Sequence, residues 1–312
     1  MRASRGALAA AATLASTGSA YIGVRNLLAG QASQARQVIP RAWDVPPRAD
    51  GVYSPGGGPV ERWHRGDPFD LHLMIFGDST ATGYGCRTAD EVPGVLLARG
   101  LAEQSGKRIR LSTKAIVGAT SKGLAGQIDA MFVAGPHPDA AVIMIGANDI
   151  TALNGIPQSA RRLGKAVARL RASGAVVVVG TCPDFGVITA IPQPLRTVAR
   201  TLGLQLARAQ ASAVRAEGGV PVPFSDLLAP EFYKQPDVLF SEDMFHPSAA
   251  GYALAASQLL PALCEALGEG GPEQALQTRS ADVSTLLAKV GGVTRLWRRT
   301  TGVPAPVIAS AG

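Results

Sequence analysis

Five residues in four short segments have side chains or positions suited to acyl transfer. Ser79 follows Gly77-Asp78, and Gly118 opens Gly118-Ala119-Thr120-Ser121. Asn148 lies in Gly146-Ala147-Asn148-Asp149, and Asp243 and His246 bound Asp243-Met244-Phe245-His246. A serine hydroxyl becomes a useful nucleophile beside a base. The imidazole of His246 is the side chain suited to that role. Asp243 precedes it by three residues, a spacing that lets a carboxylate reach the imidazole Nδ1 and fix its tautomer. Charge developing on a carbonyl oxygen needs hydrogen-bond donors. The backbone N–H groups of Ser79 and Gly118 and the side-chain amide of Asn148 are the candidates. On this reading Ser79 is the nucleophile, His246 the base and Asp243 its orienting acid.

These segments must be brought together by the elements between them. Short apolar runs at 71–76, 109–117, 140–145, 175–179 and 220–224 read as strands. Residues 92–104, 124–133, 160–172, 195–215 and 249–267 read as helices between and after them. In the third, Leu163, Val167 and Leu170 recur at helical spacing while Arg161, Lys165 and Arg171 point away. Nearly continuous apolar strands suit burial on both faces. Their alternation with helices predicts a three-layer α/β/α fold around a five-stranded parallel sheet. Ligands of such sheets bind beyond the strand C-termini. The first three polar segments follow strands there, and the fourth precedes the last helix.

Taken together, these blocks resemble the SGNH hydrolases, the GDSL esterase/lipase family. Gly-Asp-Ser matches 77–79, with Thr80 where Leu is common. The second-block glycine matches Gly118, Gly-x-Asn-Asp matches 146–149, and Asp-x-x-His matches 243–246. The resemblance spans about residues 71–268. It implies a flavodoxin-like sheet, Ser79, Gly118, Asn148 and His246 as the four namesakes, Asp243 as the third triad member, and no metal or other cofactor. The G-x-S-x-G signature of ordinary α/β-hydrolases is absent.

Composition bounds the rest. The 312 residues are 46% hydrophobic and 17% charged, enough apolar content for a packed core. The net charge is +7, but the arginines are scattered and no basic run is interleaved with aromatics, so nucleic acid is not expected as a partner. A basic surface suits contact with anionic membrane lipids instead. Arg2 and Arg5 precede the uncharged residues 6–24. As a helix that stretch would be about 28 Å long, near the thickness of a bilayer core. Residues 1–30 therefore read as a signal peptide or membrane anchor, with the catalytic domain outside the cytoplasm. Residues 31–70, rich in Pro and Gly, read as a tether. Residues 71–268 form the catalytic domain, and 269–312 a tail in which Leu286, Leu287, Val290 and Trp297 suit a basic amphipathic helix.

The three cysteines, Cys86, Cys182 and Cys264, contain no CxxC pair, and a Cys86–Cys182 bridge is left open. Asp78 reads as a structural residue of the turn. His64, His72 and His137 have no partner spacing and read as surface or tether residues. Thr120 and Ser121 are candidates to line the site. Residues 185–195 and 230–240, with Phe185, Ile188, Ile191, Phe232, Tyr233 and Phe240, are the expected pocket walls. Their modest length predicts an open, shallow site for short acyl esters, small or carried on a lipid. Two other readings remain: a deacetylase or acyltransferase on envelope polysaccharide or lipid, and a non-catalytic envelope-binding protein. Nothing in the residues addresses the oligomeric state.

Overall fold

The computed structural model describes residues 26–34, 45–133 and 135–269. The leader and the tail helix expected from the sequence lie largely or wholly outside these residues. Among the described residues no helix is long and apolar enough to cross a membrane.

Residues 26–34 form helix α1. Six strands follow: β1 (Gly51–Tyr53), β2 (Leu71–Gly77), β3 (Ile109–Thr113), β4 (Ala140–Met144), β5 (Val176–Gly180) and β6 (Val220–Val222). The helices are α2 (Ser79–Thr82), α3 (Pro93–Ser105), α4 (Leu124–Val133), α5 (Ala147–Thr151), α6 (Ile156–Ala172), α7 (Leu195–Ala216), α8 (Phe224–Leu227), α9 (Ala229–Lys234), α10 (Pro236–Leu239) and α11 (Ala249–Leu267). The sheet order is β1-β3-β2-β4-β5-β6. From β3 to β6 all pairings are parallel, and β1 lies antiparallel on β3.

All five expected strands form, and β1 is the sixth. It is three residues long within a Pro/Gly-rich stretch, too short to show an alternation. Its pairing of Gly51 with Leu111 and Tyr53 with Ile109 covers an edge that β3 would otherwise expose. β3 ends at Thr113, not at residue 117, although the Lys114 and Ile116 N–H groups still donate to Ile75 O and Gly77 O of β2 before the loop that carries Gly118.

β2 shows why the strands read as continuous apolar runs. Leu73 and Ile75 enter one core with α3 and α11, while Met74 and Phe76 enter the other with α4 and α6. Each of these four is at most 2% exposed, and full burial of such a side chain contributes about 1.5–3 kcal/mol. On α6, Leu163, Val167 and Leu170 are buried, and positions 161, 165 and 171 are exposed, as the periodicity requires.

His72 departs from its expected surface position. It lies within β2, is 1% exposed, and its Nε2 is 2.9 Å from Ser112 Oγ. Burial, aided by the charge of nearby Arg110, pulls its pKa down to about 4. A polar residue inside an apolar strand takes its burial from the strand, whatever its own preference. All three cysteines are free thiols. Cys182 is buried at the end of β5 beside Gly146, and the Cys86 thiol points to the Glu91 carbonyl oxygen, so no bridge joins them.

Candidate active site

β2 ends at Gly77, whose φ of 135° is outside the range side chains tolerate. A Cβ there would lie 1.9 Å from the Met144 carbonyl oxygen of β4. The glycine thus lets two strand ends approach while the chain turns into α2. Asp78 caps that helix, accepting from the Thr80 N–H at 3.0 Å, and its own N–H donates to Met144 O. This is the structural role expected of it. Ser79 follows as the first helical residue, 8% exposed, with its hydroxyl facing the strand C-termini.

His246 Nε2 lies 3.2 Å from Ser79 Oγ, and His246 Nδ1 lies 2.7 Å from Asp243 Oδ2. Asp243 Oδ1 accepts from the N–H groups of Phe245 and His246 and from Ser241 Oγ. Burial alone would raise the Asp243 carboxyl. Hydrogen bonds from the His246 ring and from the two backbone N–H groups together outweigh it and hold the pKa at about 2. The carboxylate is therefore charged wherever the imidazole can act as a base. The loop carrying both residues is closed by Ser241 N–H donating to His246 O, and Met244 inside it adopts a φ of 53°. The Tyr84 ring packs 4.4 Å from the imidazole, fixed by Tyr252 Oη donating to Tyr84 O.

The N–H groups of Ser79 and Gly118 have no acceptor among the described residues. Asn148 Nδ2 donates to Ala119 O at 3.0 Å, which uses one of its two N–H bonds and ties α5 to the Gly118 loop. The arrangement offers a hydroxyl beside a base, the base beside a carboxylate, and unclaimed donors on the neighbouring loops.

Beyond Ser79 an apolar pocket of about 90 Å³ runs inward between β5, α8, α9 and α11. Phe185, Ile188, Phe232 and Phe240 line it as expected. Ile191 packs in the core instead, and Tyr233 is 55% exposed; neither lines it. The shallow site expected from loop length is not what forms. Gly180, Phe224 and Ala255 reach the pocket from β5, α8 and α11, so it is set into the core rather than perched on loops. Thr120 and Ser121 are not lining residues; Ser121 turns inward to Asp149.

Two buried glutamines escaped the sequence reading. Gln127 Oε1 accepts from Gly77 N–H and its Nε2 donates to Gly77 O. Gln210 Oε1 accepts from Cys182 N–H and its Nε2 donates to Ile145 O. Each amide satisfies backbone groups at strand ends beside the site, and Gly77 O also accepts from the Ile116 N–H. The signal was a Gln on an apolar helical face, between Leu124 and Ile128 in one case and between Leu206 and Val214 in the other.

Residues 75–254 match the GDSL-like lipase/acylhydrolase family. This chain belongs to that family. It is accordingly a carboxylic ester hydrolase, with the SGNH fold that its blocks imply. It is 72% identical over 263 residues to the GDSL-like esterase Rv1075c of Mycobacterium tuberculosis (strain ATCC 25618 / H37Rv), covering 84% of each chain. Among solved structures it is similar to the psychrotrophic esterase EstA from Pseudoalteromonas sp., at 21% identity and a TM-score of 0.50. That likeness covers 64% of this chain and 100% of the other, and concerns the fold.

Proposed function

We propose that this GDSL-family hydrolase cleaves short acyl esters through a Ser79-His246-Asp243 triad and an acyl-enzyme. The observation that carries the reading is the continuous hydrogen-bond chain from Ser79 Oγ through the imidazole to Asp243, with unclaimed N–H groups beside it. Ser79 Oγ attacks the ester carbonyl carbon while its proton passes to His246 Nε2. Asp243 keeps Nδ1 protonated and stabilises the imidazolium. The carbonyl oxygen, now carrying the negative charge, is met by the N–H groups of Ser79 and Gly118 and the free amide N–H of Asn148. Collapse breaks the carbon–oxygen bond to the alcohol, which leaves with the proton from Nε2. Water then repeats the sequence on the acyl-enzyme and releases the acid.

The size of the pocket supports the short acyl group. The pocket beside Ser79, about 90 Å³ and apolar over most of its lining, suits a short aliphatic acyl group. The lining is apolar apart from the site residues and a few flanking groups, so no charged or sugar-like acyl part is favoured. The positive start and uncharged stretch at 6–24 support action at the cell envelope, outside the cytoplasm.

A fluorophosphonate probe tests the chemistry; the Pseudoalteromonas relative was itself inhibited by monoethylphosphonate. The protein should label rapidly and Ser79→Ala should not label at all. Absence of labelling in the native protein would sink the triad reading. A p-nitrophenyl ester panel should show its maximum at short acyl chains, and a maximum at ten or more carbons would refute the short-chain assignment.

A further inference from the structure

Asp149 has no part in the mechanism above, yet it is among the most densely hydrogen-bonded side chains near the site. It is 1% exposed, and no cation pairs with it among the described residues. Its Oδ2 accepts from the Ser121 N–H at 2.8 Å. Its Oδ1 accepts from Ser121 Oγ at 2.7 Å, Ser159 Oγ at 2.8 Å and Asn154 Nδ2 at 3.0 Å. A carboxylate suits such a position because it is acceptor-only, with about four acceptor sites. A neutral amide of the same shape would turn two N–H bonds toward these donors.

The arrangement along α5 gives this network a purpose. Asn148 and Asp149 are adjacent, and their side chains grip the same loop at two points. Asn148 holds Ala119 O, while Asp149 holds the backbone and side chain of Ser121. Gly118, just before these anchors, adopts a φ of 80° and is exposed, with no packing of its own within 4 Å of where a Cβ would stand. The direction of its N–H therefore depends on how the chain is pinned on both sides: before it the Ile116 N–H donates to Gly77 O, and after it Asn148 and Asp149 hold Ala119 and Ser121. We propose that Asp149 is a positioning residue of the oxyanion site, fixing the Gly118 N–H through Ser121. This rests on the acyl-transfer reading above. It adds that a buried charge, which would otherwise be a costly group to place in a core, holds one donor loop in register with the other.

The test measures kcat and KM on p-nitrophenyl butyrate, with kcat divided by the number of sites titrated by a fluorophosphonate, so that misfolded molecules do not count. Asp149→Asn is expected to lower kcat per site about 100-fold with KM within about two-fold, since a 1 Å misplacement of a catalytic group costs up to ~10²-fold. Ser121→Ala removes only one of the two hydrogen bonds to the loop and should lower kcat several-fold; it serves if Asp149→Asn does not fold. Ser159→Ala removes a donor that touches Asp149 but not the loop, and should keep kcat per site within about two-fold of wild type even if it lowers the melting midpoint. The inference is overturned if Asp149→Asn and Ser121→Ala both retain wild-type kcat per site, or if Ser159→Ala loses as much as they do. If the wild type itself neither labels nor hydrolyses the ester, it is the acyl-transfer reading that fails.

Discussion

Asp78 offers a direct measurement of what the site costs the fold. Its carboxyl is buried, and burial raises its pKa from the ordinary 3.8 to about 6, against the pull of the Thr80 and Gly146 backbone and of nearby His246. In the pH window between about 4 and 6 the folded protein therefore holds a proton that the unfolded chain has released. Stability falls as pH rises through that window, and above it the ionised carboxylate costs about 3 kcal/mol, from roughly 1.4 kcal/mol per pKa unit. Asp78→Asn cannot titrate, and its Oδ1 can still accept from the Thr80 N–H. The substitution carries its own pH-independent difference, because an amide N–H would face the Gly146 backbone donor. The pH-dependent part remains: the stability of the variant relative to wild type should rise by about 2 kcal/mol between pH 4 and pH 7. Denaturant unfolding of both proteins at fixed pH values, with equal m-values, reads this directly. Titrating groups that do not act on Asp78 cancel in the comparison. A stability difference constant to within about 0.5 kcal/mol across the window, or one moving the other way, would refute the assignment of a burial-raised carboxyl at this turn.

Asp243→Asn should lower kcat by up to ~10⁴-fold by presenting the wrong imidazole tautomer, the size of effect seen for this change in serine-protease triads. The same carboxyl, held at about 2, contributes stability above about pH 4 that is lost as pH falls through 2. The variant should lack that acid-limb loss in denaturant unfolding between pH 2 and pH 5. Ala255→Leu places a larger side chain in the pocket and should reduce kcat/KM for butyryl at least ten-fold more than for acetyl, at about 1–3 kcal/mol per displaced methylene; equal losses on both esters would show that Ala255 does not bound the acyl group. Thiol titration without reductant should count three thiols after unfolding, and a count of one would mean a bridge.

Much of the site was legible because its chemistry is local. Asp243 and His246 are three residues apart, and Gly77, Asp78 and Ser79 are contiguous, so residue type and spacing expose them. The parallel strands were legible because burial on both faces makes the apolar runs nearly continuous, as in Val176–Gly180. β1 was not, since a three-residue edge strand takes its conformation from β3 and carries no period of its own. His72 was misplaced for a related reason: its burial is imposed by β2, and its pairing with Ser112 joins residues 40 apart in sequence. The pocket was half seen. Phe185, Ile188, Phe232 and Phe240 stand in loops and short helices flanking the site, but Gly180, Phe224 and Ala255 enter from three elements that nothing in the sequence places together.

The sequence by itself determined the candidate site groups, the α/β layering and the kinship with GDSL hydrolases, because these rest on residue type, short spacing and the periods of helix and strand. Tertiary structure decided the depth of the pocket beside Ser79 and the hydrogen-bond partners of Gln127, Gln210 and Asp149. Depth is the space left over when separate elements pack, and a buried polar side chain has no visible function until the backbone groups it satisfies are beside it.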